Sequence, residues 1–243
     1  MTQLSVNLNK IALLRNARGR DFPNVVVFAE MALKAGADGL TIHPRPDQRH
    51  ARYDDIAPLK ALCEQYHAEL NIEGYPEEQL IDLCIENRVQ QMTLVPDSPA
   101  QITSDHGWTV SEHITLLTPI LARLRAAGIR SSLFMDTNAD EIRLAPSVGA
   151  DRIELHTESY ARSVENHSHE THIHTFAAAY QTAVEAGLGV NAGHDLDLNN
   201  LGFFLAHVPV AEVSIGHALT VEALQFGWDN VISRYKSICQ QRG

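Results

Sequence analysis

The chain has 243 residues, 44% hydrophobic and 20% charged, with 14 Gly and 10 Pro, which excludes disordered, collagen-like and coiled-coil proteins. Its formal charge of −11 argues against a general nucleic-acid or anionic-membrane binder. The positive side chains are uneven, however: residues 1–60 hold nine Lys/Arg against six Asp/Glu, and Arg outnumbers Lys fifteen to four along the chain. An Arg-rich region on an acidic protein points to a small anion, because guanidinium matches phosphate or carboxylate bidentately.

In chain order, strands are expected at 4–7, 39–42, 70–73, 92–95, 132–135, 152–155, 189–191 and 213–215. Amphipathic helices are expected at 23–35, 54–66, 77–87, 111–127, 139–148, 170–186, 198–207 and 219–240. Four strands follow a small residue plus Gly and close on a polar residue: Gly36 leads to His43, Gly128 to Asp136, Gly149 to His156 and Gly187 to His194. Glycine there serves as the residue just past a helix end, where positive φ costs little. Eight βα units in this length predict one domain, 1–243, folded as an α/β (β/α)₈ TIM barrel. An open doubly wound sheet is the rival. The segment after its first strand reads Asn7-Leu-Asn9-Lys10, with no GxGxxG fingerprint.

Two connections are longer than the fold requires. Loop 96–110 is a candidate lid, and 157–169 runs into a His-rich stretch with His167, His169, His172 and His174. That spacing is not HExxH, so a solvated face is favoured over a metal site. Cys63, Cys84 and Cys239 form no CxxC pair, which fits a reducing, cytoplasmic setting. The start shows no basic-then-apolar leader, and no membrane span is expected.

Barrel chemistry lies at the carboxyl ends of the strands. There the chain places Asn7, Asn9 and Lys10, then His43 and Arg45, Asn71 and Glu73, Thr93, Asp136, His156, Asn191 and His194, and Gly216-His217. The glycines of Asn191-Ala-Gly-His194 and Ile215-Gly-His-Ala218 suit a phosphate against a helix amino terminus. A second anion clamp is expected from Lys10, Arg15, Arg18, Arg20, Arg45, His50 and their neighbours. Glu73, between apolar residues, is expected to be desolvated and raised toward a general base, with His43 and His194 exchanging protons. Only Lys10 among four lysines could reach the mouth for a Schiff base, and no GxSxG elbow occurs.

Val6-Asn-Leu-Asn-Lys-Ile11, Leu14-Arg-Asn-Ala-Arg-Gly19, Thr41-Ile-His-Pro-Arg-Pro-Asp-Gln-Arg-His50, Leu70-Asn-Ile-Glu73, Leu94-Val-Pro96, Val190-Asn-Ala-Gly-His194 and Ile215-Gly-His-Ala218 occur in that order. Together they resemble the pyridoxine 5′-phosphate synthase family. The resemblance implies a TIM barrel with extra helices, a homo-oligomer (an octamer in the family), and no metal or cofactor. It implies condensation of 3-amino-2-oxopropyl phosphate with 1-deoxy-D-xylulose 5-phosphate, releasing phosphate and water. It assigns acid–base roles to His43 and Glu73 and proton donation to His194. Asn7, Arg18, Gly216 and His217 fall to the aminooxopropyl phosphate; Arg45, His50 and Thr103 fall to the sugar phosphate. Asn9-Lys10 and Asp195 depart from the family's Asp-His and Gly, so they bear on substrate preference. The alternative is a related isomerase or aldolase acting on another sugar phosphate.

Overall fold

The computed structural model describes residues 1–97 and 104–241. Eight parallel strands close a barrel in sequence order, each paired with its neighbours and β1 with β8. They are β1 (Gln3–Asn7), β2 (Gly39–Ile42), β3 (Glu69–Gly74), β4 (Gln91–Leu94), β5 (Arg130–Met135), β6 (Arg152–His156), β7 (Gly189–Gly193) and β8 (Glu212–Ile215). Among the described residues the surrounding helices are α1 (Asn9–Asn16), α2 (Val25–Lys34), α3 (Ile56–Tyr66), α4 (Glu78–Asn87), α5 (Val110–Ala126) and α6 (Ala139–Val148). The outer ring continues with α7 (Glu158–Glu165), α8 (His169–Glu185), α9 (Leu201–His207), α10 (His217–Phe226) and α11 (Trp228–Gln240).

Period-two alternation along the strands decides what the barrel encloses. Leu4 and Val6, Leu40 and Ile42, Leu70 and Ile72, Ile153 and Leu155, and Val213 and Ile215 are all buried in the apolar core with the helices. The alternate positions are polar and also buried: Ser5, Thr41, Asn71, Gln91, Thr93, Ser132, Glu154, Asn191, Glu212 and Ser214. Several of them bond to one another between neighbouring strands, as in Ser5 Oγ to Thr41 Oγ1 at 2.6 Å and Thr93 Oγ1 to Asn71 Oδ1 at 3.1 Å. The aliphatic sides of the strands thus hold the helices, while the lumen is left for polar chemistry.

The four expected helix-ending glycines all adopt positive φ: Gly36 (105°), Gly128 (74°), Gly149 (99°) and Gly187 (80°). Asn138 caps α6 by accepting from Asp140 N at 3.0 Å, and Asn24 caps α2 by accepting from Val27 N at 2.9 Å.

Three expectations are corrected. Residues 9–16 form α1, its first turn held by Asn7 Oδ1 accepting from Asn9 N at 3.0 Å. The expected loop 157–169 contains α7, and the expected helix 219–240 breaks into α10 and α11 at Gly227, where φ is 87°. Of loop 96–110, residues 98–103 lie outside the described residues. The rest folds back on the rim: Trp108 N donates to Phe134 O and its Nε1 to Leu94 O, both at 2.9 Å. Gly107 is required there, since a Cβ would fall 2.3 Å from Asp136 N.

Candidate active site

The carboxyl ends of the strands open into a cavity of about 740 Å³. Asn7, Asn9, Lys10, His43, Arg45, His50, Glu73, His194, Asp195, Gly216 and His217 all line it, as anticipated from their strand-end positions. Arg18 does not line it; it lies exposed in the turn after α1. Thr103 lies outside the described residues.

Glu73 sits at the centre of the floor, 5% exposed. Its Oε2 accepts from Asn7 Nδ2 at 3.4 Å and lies 3.8 Å from His43 Nδ1, while Oε1 accepts from Ser214 Oγ at 3.4 Å. Burial, followed by the nearby Asp97 charge, pushes its carboxyl up to about 7. Burial likewise pushes His194 down to about 3 and His50 down to about 4. His43 is driven well below the usual imidazole range by burial and then by Arg45. The site therefore offers one carboxyl that exchanges its proton near neutrality, beside three imidazoles, His43, His50 and His194, whose charged form burial disfavours.

Glu154, absent from the sequence-based expectations, is the second carboxyl of the floor. Burial and the charge of Glu73 raise it well above the carboxylate range. Thr93 Oγ1 donates to its Oε2 at 3.5 Å, and its buried Oε1 has no protein partner. The signal was readable: a lone charge between Ile153 and Leu155 must face the lumen. Gly193 makes room for it, because a Cβ would come 2.4 Å from Glu154 Oε1. Gly193→Ala should therefore cost about 1–3 kcal/mol by overpacking, measured by urea unfolding, and lower turnover as well.

Ion pairing narrows the expected second anion clamp. Arg45 forms a buried ion pair with Asp97, which also accepts from Ser104 Oγ at 2.7 Å. Its charge is thus largely compensated, while Arg45 Nε is buried with no hydrogen-bond partner among the described residues. Arg15 pairs with Asp55 at 2.5 Å, Arg49 with Asp47 at 2.7 Å, and Arg52 donates to Asn16 at 2.7 Å. The cations lining the cavity are Lys10, Arg45 and Arg162, the last paired with Glu158. Missed as well were Asp97, Ser104 and Ser214, which no strand-end motif marks.

At the opposite rim α10 begins. Gly216 is its N-cap, no side chain caps it, and Gly216, His217 and Ala218 face the cavity. Uncapped N–H groups and the helix dipole suit this end of the helix to an anion. A Cβ on Gly216 would lie 2.9 Å from Asn7 Cβ. Gly216→Ala should push Asn7 off Glu73 and lower kcat/KM by about tenfold, with circular dichroism unchanged. Asn9 proves to be a tie, its Oδ1 accepting from His43 N at 2.8 Å. His194 (φ 81°) and Asp195 (φ 59°) both adopt left-handed backbone, held by Asn200 Nδ2 donating to Asp195 O at 3.0 Å.

The His-rich stretch is dispersed: His172 Nε2 meets Ser159 Oγ at 3.2 Å and His169 packs on the Phe203 ring at 4.9 Å. Among the described residues no group of His, Cys, Asp and Glu is arranged to hold a metal ion, and no helix is long and apolar enough to cross a membrane.

Residues 4–241 match the family described as pyridoxal phosphate biosynthesis protein PdxJ. The chain is 49% identical to pyridoxine 5′-phosphate synthase of Allorhizobium ampelinum, over 98% of this chain and 97% of the relative. It is 47% identical to that of Bacteroides thetaiotaomicron, over 98% and 99%. Among solved structures, thiamine phosphate pyrophosphorylase from Pyrococcus furiosus superposes with a TM-score of 0.65 at 13% identity, covering 98% of this chain and 95% of that one. That likeness is one of fold.

Proposed function

This chain belongs to the pyridoxal phosphate biosynthesis protein PdxJ family, and on that premise we propose how its barrel mouth performs the pyridoxine 5′-phosphate synthase reaction. The enzyme joins 3-amino-2-oxopropyl phosphate to 1-deoxy-D-xylulose 5-phosphate and closes a pyridine ring. Joining an amine to a ketone requires a proton to leave nitrogen and another to reach the departing oxygen. A single group does both best when its pKa lies near the working pH.

The observation that carries the reading is the buried Glu73–His43 pair beneath a cavity lined by the α10 amino terminus and by Lys10 and Arg45. Ionised Glu73 takes the proton; neutral Glu73 returns it. His43, kept neutral by burial and Arg45, accepts protons from substrate carbon or nitrogen. His194 delivers a proton to the leaving oxygen. Glu154, kept neutral by burial, donates its O–H to a substrate oxygen through the unpartnered Oε1.

One phosphate rests on the α10 amino terminus beside Gly216 and His217, with Asn7 against its carbon chain. The sugar phosphate rests against Arg45 and His50, which with Thr103 follow the family assignment, and Lys10 adds a cation there. Lys10 in place of an imidazole and Asp195 in place of Gly adjust the charge at the two rims. The whole reaction lies within one domain. Purified protein given both substrates should release pyridoxine 5′-phosphate and inorganic phosphate one for one. No product, or an adduct at Lys10 trapped by borohydride, would replace this reading with an aldolase-type barrel.

A homo-oligomer is part of the proposal. Leu13 and Leu14 on α1, Phe22, and Val27 on α2 are exposed, Phe22 at 80%. Arg18 lies beside them, away from its own cavity, so a second copy covering this face would bury them and meet Arg18. Sedimentation should give a species of at least two chains, and Phe22→Asp should shift it toward the monomer.

A further inference from the structure

Asp136, His156 and His194 stand in a row at the ends of neighbouring strands β5, β6 and β7, and the reaction described above uses only His194. His156 lines the cavity. Its Nδ1 lies 3.4 Å from Asp136 Oδ1, and its ring meets the His194 ring edge-on, 5.2 Å between centroids at 86°. Phe134 is fully buried and packs against both imidazoles, at 5.0 Å from His156 and 4.8 Å from His194, closing that side to water. Exposure falls along the row: the Asp136 side chain is 54% exposed and that of His156 9%. The His156 bond, joined by the Gly107 N–H at 2.9 Å, holds Asp136 below the usual carboxylate range.

A buried neutral imidazole delivers protons over many turnovers only if they are resupplied. We propose that Asp136 and His156 are the proton feed of His194, an inference that rests on the proton-donor role given to His194 above. Ionised Asp136 accepts from His156 Nδ1–H, fixing the tautomer and steadying the imidazolium. The Nε2–H bond of His156 breaks as an N–H bond forms on His194. His194 passes that proton to the departing substrate oxygen, and water at the rim reprotonates His156. Nothing is oxidised or reduced. The groups facing His194 are His156 from β6, Arg45 and His43 from β2, and the carboxyl of Glu154 against Gly193, with Asp195 next in the chain. Asp136 is faced by His156 and His106.

The test compares wild type with His156→Gln, His156→Ala and Asp136→Asn, using both substrates and reading kcat and each KM. His156→Gln should lower kcat by about tenfold to a hundredfold with either KM changed less than about twofold. Added imidazole should restore much of the lost rate to His156→Ala and none to Asp136→Asn, whose kcat should fall by about three- to tenfold. Unchanged kcat, a raised KM with kcat intact, or a folded His156→Ala that imidazole does not rescue would overturn the proposal. Wild-type protein that makes no product would overturn the reaction itself and the proposal with it. Active wild type with unaffected His156 variants would overturn the proposal alone.

Discussion

Glu73→Gln should reduce turnover by about a thousandfold or more while making the folded protein more stable in alkaline buffer. Gln keeps the size of the side chain and accepts from Asn7 Nδ2 with its one amide oxygen, its NH2 turned to donate to Ser214 Oγ, but it cannot take a proton. The stability change follows from linkage. The folded carboxyl titrates at about 7, above its ordinary value. Its favourable contribution is complete below the unfolded pKa and is lost as pH rises through 7. At pH 8 the ionised carboxylate costs of order 3 kcal/mol, and Gln avoids it. Thermal unfolding should show Glu73→Gln above wild type at pH 8, with the gap shrinking toward pH 5. Glu212, pushed up to about 7 by burial, acts in the same direction and keeps a residual alkaline loss in the variant. An equal Tm at both pH values would mean that Glu73 is not strained by ionisation.

Arg15→Ala should cost about 3–5 kcal/mol, because it leaves a buried carboxylate without its cation. Arg15 is 5% exposed and grips Asp55 through both nitrogens, at 2.5 and 3.0 Å. It also donates to His50 O at 3.1 Å, while Asn16 Nδ2 reaches the carbonyls of Gln48, Arg49 and His50. The end of α1 thus fastens the loop that carries Arg45 and His50. Guanidinium unfolding at pH 7 should show the loss, and KM for the sugar phosphate should rise. A loss below about 1 kcal/mol, the size of a surface pair, would show that the clamp is solvated.

Much of this was legible in the sequence because two periodicities coincide. Strands such as Gly39-Leu-Thr-Ile42 alternate aliphatic and polar residues, and four of the eight are announced by a helix-ending glycine and closed by a polar side chain. That grammar gives the strand order and places His43, Glu73 and His194 at one mouth. Short helices were less legible. In α7, Glu158-Ser-Tyr-Ala-Arg-Ser-Val-Glu165, two serines and a valine weaken helix propensity, and packing of Tyr160 and Ala161 supplies the stability. Charge pairing was not legible at all. Arg45 reads as a free phosphate clamp until the fold brings Asp97, 52 residues away, against it. The same holds for Arg15 and Asp55. Glu154 stands between these cases, since its place on an apolar strand marks it as inward-facing but not as a neighbour of Glu73.

The central claim is that Glu73 exchanges its proton near neutrality inside the folded site. Infrared difference spectra, wild type minus Glu73→Gln, report that carboxyl together with the response of Glu154 to its charge. The structure predicts a protonated-carboxyl band at pH 5 that disappears with a midpoint of about 7. A midpoint near the ordinary glutamate value, about 4.3, would contradict it and leave the site without its acid–base group.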